Sequence, residues 1–174
     1  MAGKELWSWV KSLLLAVVLA LVIRENVLAF YVVDGNSMLP SLNNGQMVAV
    51  NKLVYNFSPP QNGDVVVFLT SGSMFGWSEN RVFIKRVMAM PGDVIEIRDG
   101  QVFRNGQVLE EEYIDVEMNG EFGPLSIEQG WVFVMGDNRR PTGSWDSREF
   151  GPIPLEAIIG RAEAVVFPVP GRVD

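Results

Sequence analysis

The chain has 174 residues, of which 48% are hydrophobic and 20% are charged, and its net charge is -7. This length predicts one main folded domain, and the acidic balance argues against nucleic acid as a partner. The sequence contains neither cysteine nor histidine, which excludes disulfides, thiol nucleophiles, His-based serine catalysis and Cys- or His-ligated zinc. A hydrolase made from this chain therefore needs a lysine, a carboxylate pair or a carboxylate-bound metal as its base.

Residues 6–23 form an 18-residue apolar stretch in which Lys11 is the only charge. This length and composition predict one membrane-spanning helix. Trp7 and Trp9 are typical of a membrane interface, and the lysines near the start favour a cytoplasmic N-terminus. The alternatives are a cleaved signal peptide and a buried core helix, but no small-residue cleavage site is followed by polar sequence. We therefore expect residues 1–29 to form a short cytoplasmic stub and an uncleaved membrane anchor.

From residue 30 onward the sequence changes to short apolar runs separated by turn residues, which predicts an all-β domain spanning 30–174. The dipeptides Asp99-Gly100 and Asn105-Gly106 are typical of two-residue hairpin turns. They predict a β-meander in the middle of the chain. One short helix is predicted around residues 154–160.

The segment VDGNSMLPSL places Ser37 in a turn directly after Gly35 and Asn36. A glycine at such a place lets another part of the backbone approach closely. A serine in a Gly/Asn turn is usually only a turn residue, so this segment alone is a weak indication of a nucleophile.

The segment RVFIKRVMAMPGD sets Lys85 within an apolar, strand-like run. Strand alternation puts Phe83, Lys85 and Val87 on one face and Arg86 on the other. If the first face is buried, desolvation disfavours the ammonium form and favours the neutral amine that a lysine base requires. The structural alternative is a lysine on the solvent face of an edge strand.

A third segment, VMGDNRRPTGSWDSREFG, follows an apolar strand and is dense in Asp, Asn, Ser and Arg. Such a loop is typical of a hydrogen-bonded polar network, although a structural turn has the same composition. In this order the three segments resemble the bacterial type I signal peptidase family. They match its Gly-x-Ser-Met-x-Pro block, its Lys-Arg-Val block ending in Pro-Gly-Asp, and its Gly-Asp-Asn-Arg and Ser-x-Asp-Ser-Arg block. The resemblance runs from about residue 10 to 168.

The resemblance implies a mostly β fold of coiled antiparallel sheets behind one N-terminal transmembrane helix, with the meander as a smaller lobe at about 93–126. It implies a membrane-bound serine endopeptidase that removes signal peptides from exported preproteins and cuts after small residues. The implied location is the bacterial cytoplasmic membrane, with the catalytic domain on its outer face. Signal peptides and membrane lipid are the implied partners, without nucleic acid, cofactor or metal.

The resemblance also implies a role for each motif residue. Ser37 attacks the scissile carbonyl, and its backbone amide stabilises the oxyanion. Lys85 is the general base, and the hydroxyl of Ser144 helps to orient it. A structural polar network is implied for Arg86, Asp137, Asn138, Asp146 and Arg148. Shallow apolar pockets for small substrate side chains are expected to be lined by Val33, Met38, Leu42, Phe83 and Ile84.

Two features depart from the family pattern. Gly35 stands where some relatives carry a serine that donates to the oxyanion, so the amide of Ser37 is expected to act with less help. Residues 140–143 separate the two halves of the third block, where the family usually has two residues. Thr142 is therefore an alternative to Ser144 as the residue that orients Lys85.

Two other functions stay open on the sequence alone. A self-cleaving Ser-Lys protease of the repressor type has a similar dyad, but it normally carries a DNA-binding domain and no membrane anchor. A non-catalytic, membrane-tethered β-domain that binds partners would make Ser37 and Lys85 incidental.

Overall fold

A computed structural model describes residues 2–72 and 79–173, with the side chains of 5–21, 26–72 and 79–173. In this part the chain has one long helix, two short helices and twelve strands. Their bounds are α1 Ala2–Asn26, β1 Leu28–Val32, β2 Met47–Asn51, α2 Val54–Phe57, β3 Val65–Thr70, β4 Arg81–Ala89, β5 Val94–Arg98, β6 Gln101–Arg104, β7 Gln107–Val108, β8 Phe122–Ser126, β9 Trp131–Met135, α3 Ser147–Phe150, β10 Ile153–Pro154, β11 Ile158–Phe167 and β12 Gly171–Arg172.

Helix α1 contains the apolar stretch, and its described side chains from Glu5 to Leu21 are all exposed. Among the described residues we find no helical stretch of the length and apolar character needed to cross a membrane. Val22 and Ile23, the last two residues of the predicted span, lie outside the described side chains.

The main sheet orders its strands β1-β2-β11-β3-β4-β9-β10, and β12 pairs with β11. Strand β3 lies in the middle of this sheet and is buried on both faces. Val65 and Val67 pack into one core cluster, whereas Val66 and Phe68 pack into another on the opposite face. A strand covered on both sides accounts for the unbroken apolar run in this part of the sequence.

A second, smaller sheet orders its strands β7-β6-β5-β8 and has its own hydrophobic cluster. The turns at Asp99-Gly100 and Asn105-Gly106 join its first three strands, and all four residues have positive φ, at 51°, 78°, 54° and 77°. Two-residue hairpins of this type require that geometry. The strands of both sheets pair in antiparallel fashion, so the predicted mostly β class and the two hairpin turns are confirmed.

The predicted helix at 154–160 is shorter than expected. Leu155–Ala157 form a single 3-10 turn, and strand β11 begins directly at Ile158. Two β-branched isoleucines favour the strand, and the backbone of Gly160 lies against the carbonyl of Asn51 so closely that a Cβ would collide with it.

Two segments of the main sheet line one groove. Strand β1 is an edge strand that pairs only with β2 in the described part of the sheet. Strand β4 pairs with β3 along residues 81–86 and with β9 from Arg86 onward. Residues 31–34 and 81–85 line the same groove.

Candidate active site

Ser37 lies in the turn between β1 and β2, at the floor of the groove. Gly35 begins the turn with φ of +98°, a conformation that glycine adopts without the steric cost of a Cβ. The amide of Gly35 donates to Asn44 Oδ1 at 2.8 Å. After the serine, Met38 and Leu42 are completely buried in the core cluster below. The turn is therefore fixed to the fold on both sides of the hydroxyl.

Lys85 extends from β4 toward this turn. Its side chain is buried, and its Nζ lies 2.6 Å from Ser37 Oγ and 3.0 Å from the carbonyl oxygen of Ile84. The Phe83 ring lies 5.6 Å from the same nitrogen. Burial lowers the pKa of Lys85 to about 8, against the opposing effect of the Asp146 and Asp137 carboxylates. The amine can therefore lose its proton at mildly alkaline pH and accept the proton of the serine hydroxyl.

Gly136 directly follows β9 and supports the nucleophile turn from below. A Cβ at this position would collide with the Ser37 carbonyl and with the side chain of Ser144. No role was predicted for this glycine from the sequence. The available signal was a glycine immediately after an apolar strand, in front of the polar Asp-Asn-Arg run.

Ser144 is buried against Gly136, but its hydroxyl donates to Asp146 Oδ2 at 2.7 Å. In the described structure no hydrogen bond joins it to Lys85, so the direct contact expected from the resemblance is absent there. Thr142 is exposed and has φ of 59°. Of the two alternatives, Ser144 is the one that lies at the site.

Asp146 is the centre of the polar network below the dyad. It accepts hydrogen bonds from the Gly136 amide, the Ser144 hydroxyl and the Arg148 guanidinium. Its carboxylate also caps helix α3. Burial alone would raise the pKa of this carboxyl, but Arg148 and the other donors hold it below its usual value. The carboxylate is thus kept charged and fixed.

Arg86 and Asp137 form a buried ion pair, with N–O distances of 3.0 and 2.7 Å. The guanidinium of Arg86 also lies 3.8 Å from the ring centroid of Tyr113, which belongs to the connection between β7 and β8. Asn138 stabilises the turn that carries Ser37. Its backbone N–H donates to the Ser37 carbonyl, and its side-chain amide donates to the Asn36 carbonyl.

Arg139 forms a further buried ion pair, and this pair was not predicted from the sequence. Its guanidinium donates to both carboxylate oxygens of Glu111 and to the Gly136 carbonyl. The hydroxyl of Tyr113 donates to Glu111 at 2.7 Å. The smaller lobe therefore contacts the loop that supports Ser37. Glu111 could not be identified from local patterns as the partner of Arg139, because the two residues are 28 positions apart.

The groove beside the dyad has a volume of about 450 Å³. Of the five residues expected to line it, Val33, Phe83 and Ile84 do so. The other two, Met38 and Leu42, are core residues without exposed surface. They lie four residues apart in a helix-like turn, so both point inward. The wall also includes residues that were not predicted to line it, namely Tyr31, Val32, Asp34, Val48, Val67, Arg81 and Val82.

Comparisons with known proteins identify a family for this chain. A family model described as signal peptidase, peptidase S26, matches residues 6–167. The probable signal peptidase I-1 of Synechocystis is 40% identical over 168 residues, which cover 93% of this chain and 85% of that protein. The signal peptidase I of Bacillus licheniformis is 35% identical over 175 residues, which cover 94% of this chain and 90% of that protein.

A solved structure is also similar. The crystal structure of a signal peptidase I from Enterococcus faecalis aligns with a TM-score of 0.49 at 26% identity, over 60% of this chain and 97% of that one. The family match and the two sequence relatives extend over almost the whole chain. The chain therefore belongs to the signal peptidase family, peptidase S26.

Proposed function

We propose that this protein is a membrane-bound signal peptidase that removes signal peptides from exported preproteins, with Ser37 as nucleophile and Lys85 as general base. The observation that carries the assignment is the 2.6 Å contact between the Lys85 amine and the Ser37 hydroxyl. The amine is buried and has a lowered pKa, which is the condition under which a lysine can act as a base.

The reaction proceeds in two halves. Ser37 Oγ attacks the scissile carbonyl while Lys85 takes the hydroxyl proton, and the Ser37 amide donates to the developing oxyanion. The tetrahedral intermediate collapses when Lys85 gives this proton to the leaving amine, which departs with the mature protein. Water then attacks the acyl-enzyme, Lys85 accepts its proton, and Ser37 recovers a proton as the signal peptide leaves.

The groove supports an extended peptide as substrate. Strand β1 lies at the edge of the main sheet and lines the groove, as do residues 81–85 of β4, so an extended peptide can bind beside them as an added strand. Val33, Phe83 and Ile84 provide apolar contacts close to the dyad. A narrow apolar wall admits small side chains next to the scissile bond and excludes larger ones by steric conflict.

We also propose that residues 1–29 anchor the enzyme with the N-terminus inside, and that residues 30–174 act on the outer face. Helix α1 supports this role because its apolar side chains are exposed on all sides, and such a helix needs an apolar environment. Protease added to intact spheroplasts should cleave beyond residue 30 and leave α1 in the membrane. Full protection of the β-domain would reverse the topology. In cells to which no protease is added, recovery of soluble protein that begins beyond residue 24 would contradict an uncleaved anchor.

The central test uses purified full-length protein in detergent and a secreted precursor with a small residue before the cleavage site. We expect cleavage to the mature protein by the native enzyme and none by Ser37→Ala of equal thermal stability. Loss of only its own intact chain, without cleavage of the precursor, would favour a self-cleaving protease. Binding without cleavage would favour a non-catalytic domain.

A further inference from the structure

An aromatic cluster lies behind the groove on the side of Lys85. Phe83 stacks on the buried Phe68 with ring centroids 5.8 Å apart, and it also packs against Trp145 at 5.9 Å. Trp145 contacts Phe150 at 4.7 Å. Phe83 lines the groove, whereas Trp145 is not part of the described groove wall. The indole thus contacts the wall of the groove from behind.

The backbone on both sides of Trp145 is held in place. Its neighbours Ser144 and Asp146 are buried and hydrogen-bonded to each other, and Asp146 is fixed further by Arg148. The Trp145 side chain itself is 38% exposed. A large ring on a fixed backbone restricts the rotation of the phenylalanine that it contacts.

The position of Phe83 indicates which part of a substrate it meets. It precedes Lys85 by two residues on β4, so the two side chains share a face and lie roughly 6.6 Å apart along the strand. The first and third residues before a scissile bond have the same separation in an extended peptide. For a peptide that runs parallel to β4 with its first residue before the scissile bond beside Lys85, the third residue lies beside Phe83.

We infer that Trp145 is a positioning residue for substrate specificity: by holding Phe83 in the groove, it limits the size of the third side chain before the scissile bond. This inference rests on the proposed function. Shortening Trp145 leaves space behind Phe83, into which the phenyl ring can turn. The groove then becomes deeper at this point and accepts a larger substrate residue.

The test compares two peptides that differ only in having alanine or leucine as the third residue before the scissile bond. The quantity measured is the ratio of kcat/KM for the leucine peptide to that for the alanine peptide. We expect Trp145→Ala to raise this ratio by roughly 10-fold or more. Trp145→Leu should raise it less, and Trp145→Phe should keep the native ratio because an aromatic ring still supports Phe83.

Trp131→Ala is the matched control, because Trp131 packs against the core of the smaller lobe. It should leave the ratio unchanged even if it lowers stability. An unchanged ratio in both Trp145→Ala and Trp145→Leu overturns the inference, as does an equal rise in Trp131→Ala. Should Trp145→Ala fail to fold, the ratio in Trp145→Leu decides. Failure of the native enzyme to cleave either peptide would instead contradict the proposed function.

Discussion

Each face of strand β4 buries one basic side chain, but only one of the two basic groups has a carboxylate partner. On one face, Lys85 is 2% exposed and contacts a hydroxyl and a carbonyl, and no carboxylate of the described residues lies within ion-pair distance. On the other face, Arg86 is 3% exposed and forms a bidentate pair with Asp137. Burial without a counterion lowers the pKa of an amine and makes it a base, whereas a paired guanidinium stays charged and structural.

The difference extends to what surrounds each face. The groove beside Lys85 is lined by apolar side chains such as Val33, Phe83 and Ile84, which suit a peptide substrate. The opposite face meets the smaller lobe, whose Tyr113 lies over Arg86 and whose Glu111 pairs with Arg139. The smaller lobe therefore provides contacts for the two buried arginines beside the site. It provides none for Ser37 and Lys85 among the described contacts.

Removal of either member of the dyad should have the largest effect. Ser37→Ala and Lys85→Ala should each reduce kcat by at least roughly 10³-fold, and the double variant should lose no more, because the two groups act as one unit. Lys85→Arg should be equally inactive because a guanidinium does not deprotonate. Cleavage rates are compared at matched thermal stability. An active Lys85→Arg enzyme would show that another group takes the serine proton.

On the opposite face, loss of the counterion should affect stability. Asp137→Ala leaves Arg86 buried without its carboxylate and should lower the free energy of unfolding by about 3–5 kcal/mol. Asp115→Ala is the matched control, because it breaks the exposed pair between Asp115 and Arg140 and should cause no measurable loss. Urea unfolding measures both variants. Equal losses would mean that burial does not distinguish the two ion pairs.

Lys85→Met should stabilise the inactive protein. Below pH 8 the lysine is protonated in both folded and unfolded states, so its burial costs folding free energy in proportion to the lowered pKa. One pKa unit corresponds to about 1.4 kcal/mol, so the gain at pH 7 should be roughly 1–3 kcal/mol. From pH 8 toward 10.5 the folded protein loses the proton first, and the advantage should shrink. A gain that does not vary with pH over this range would contradict desolvation as its cause.

Gly35→Ser tests the turn that carries the nucleophile, and we expect the smallest effect here. The added hydroxyl could supply a second donor to the oxyanion, but φ of +98° strains any residue with a Cβ. We expect the free energy of unfolding to fall by about 1–2 kcal/mol and kcat to fall with it. Gly45→Ser, at φ of +83° in the same connection, should lose similar stability but keep kcat. A faster Gly35→Ser enzyme would show that the donor outweighs the strain.

The sequence predicts those features that depend on local chemistry. The hairpin turns at Asp99-Gly100 and Asn105-Gly106 follow from the need for positive φ, and the β class follows from short apolar runs. Ser37 and Lys85 could be paired only through the resemblance, since 48 residues separate them. Their catalytic roles remain predictions that the dyad variants test.

Other features depend on how distant segments meet, and local patterns do not contain that information. Met38 and Leu42 were expected in the groove from the resemblance, but the turn after Ser37 is helix-like and points both side chains inward. The hydrogen bond from Ser144 to Asp146 depends on the course of the long loop that precedes it. The close approach of Gly136 to the Ser37 carbonyl appears only when the segments are packed together.

The most direct test of a desolvated lysine base is the pH dependence of kcat/KM, measured with a peptide that has no ionisable side chain near the cleavage site. The rate should rise with the fraction of neutral Lys85 and reach a plateau above an apparent pKa of about 8. The fold must stay intact across the range, as shown by thermal unfolding at each pH. A rate independent of pH around this value, or one that rises only near the ordinary lysine pKa of 10.5, would contradict the account.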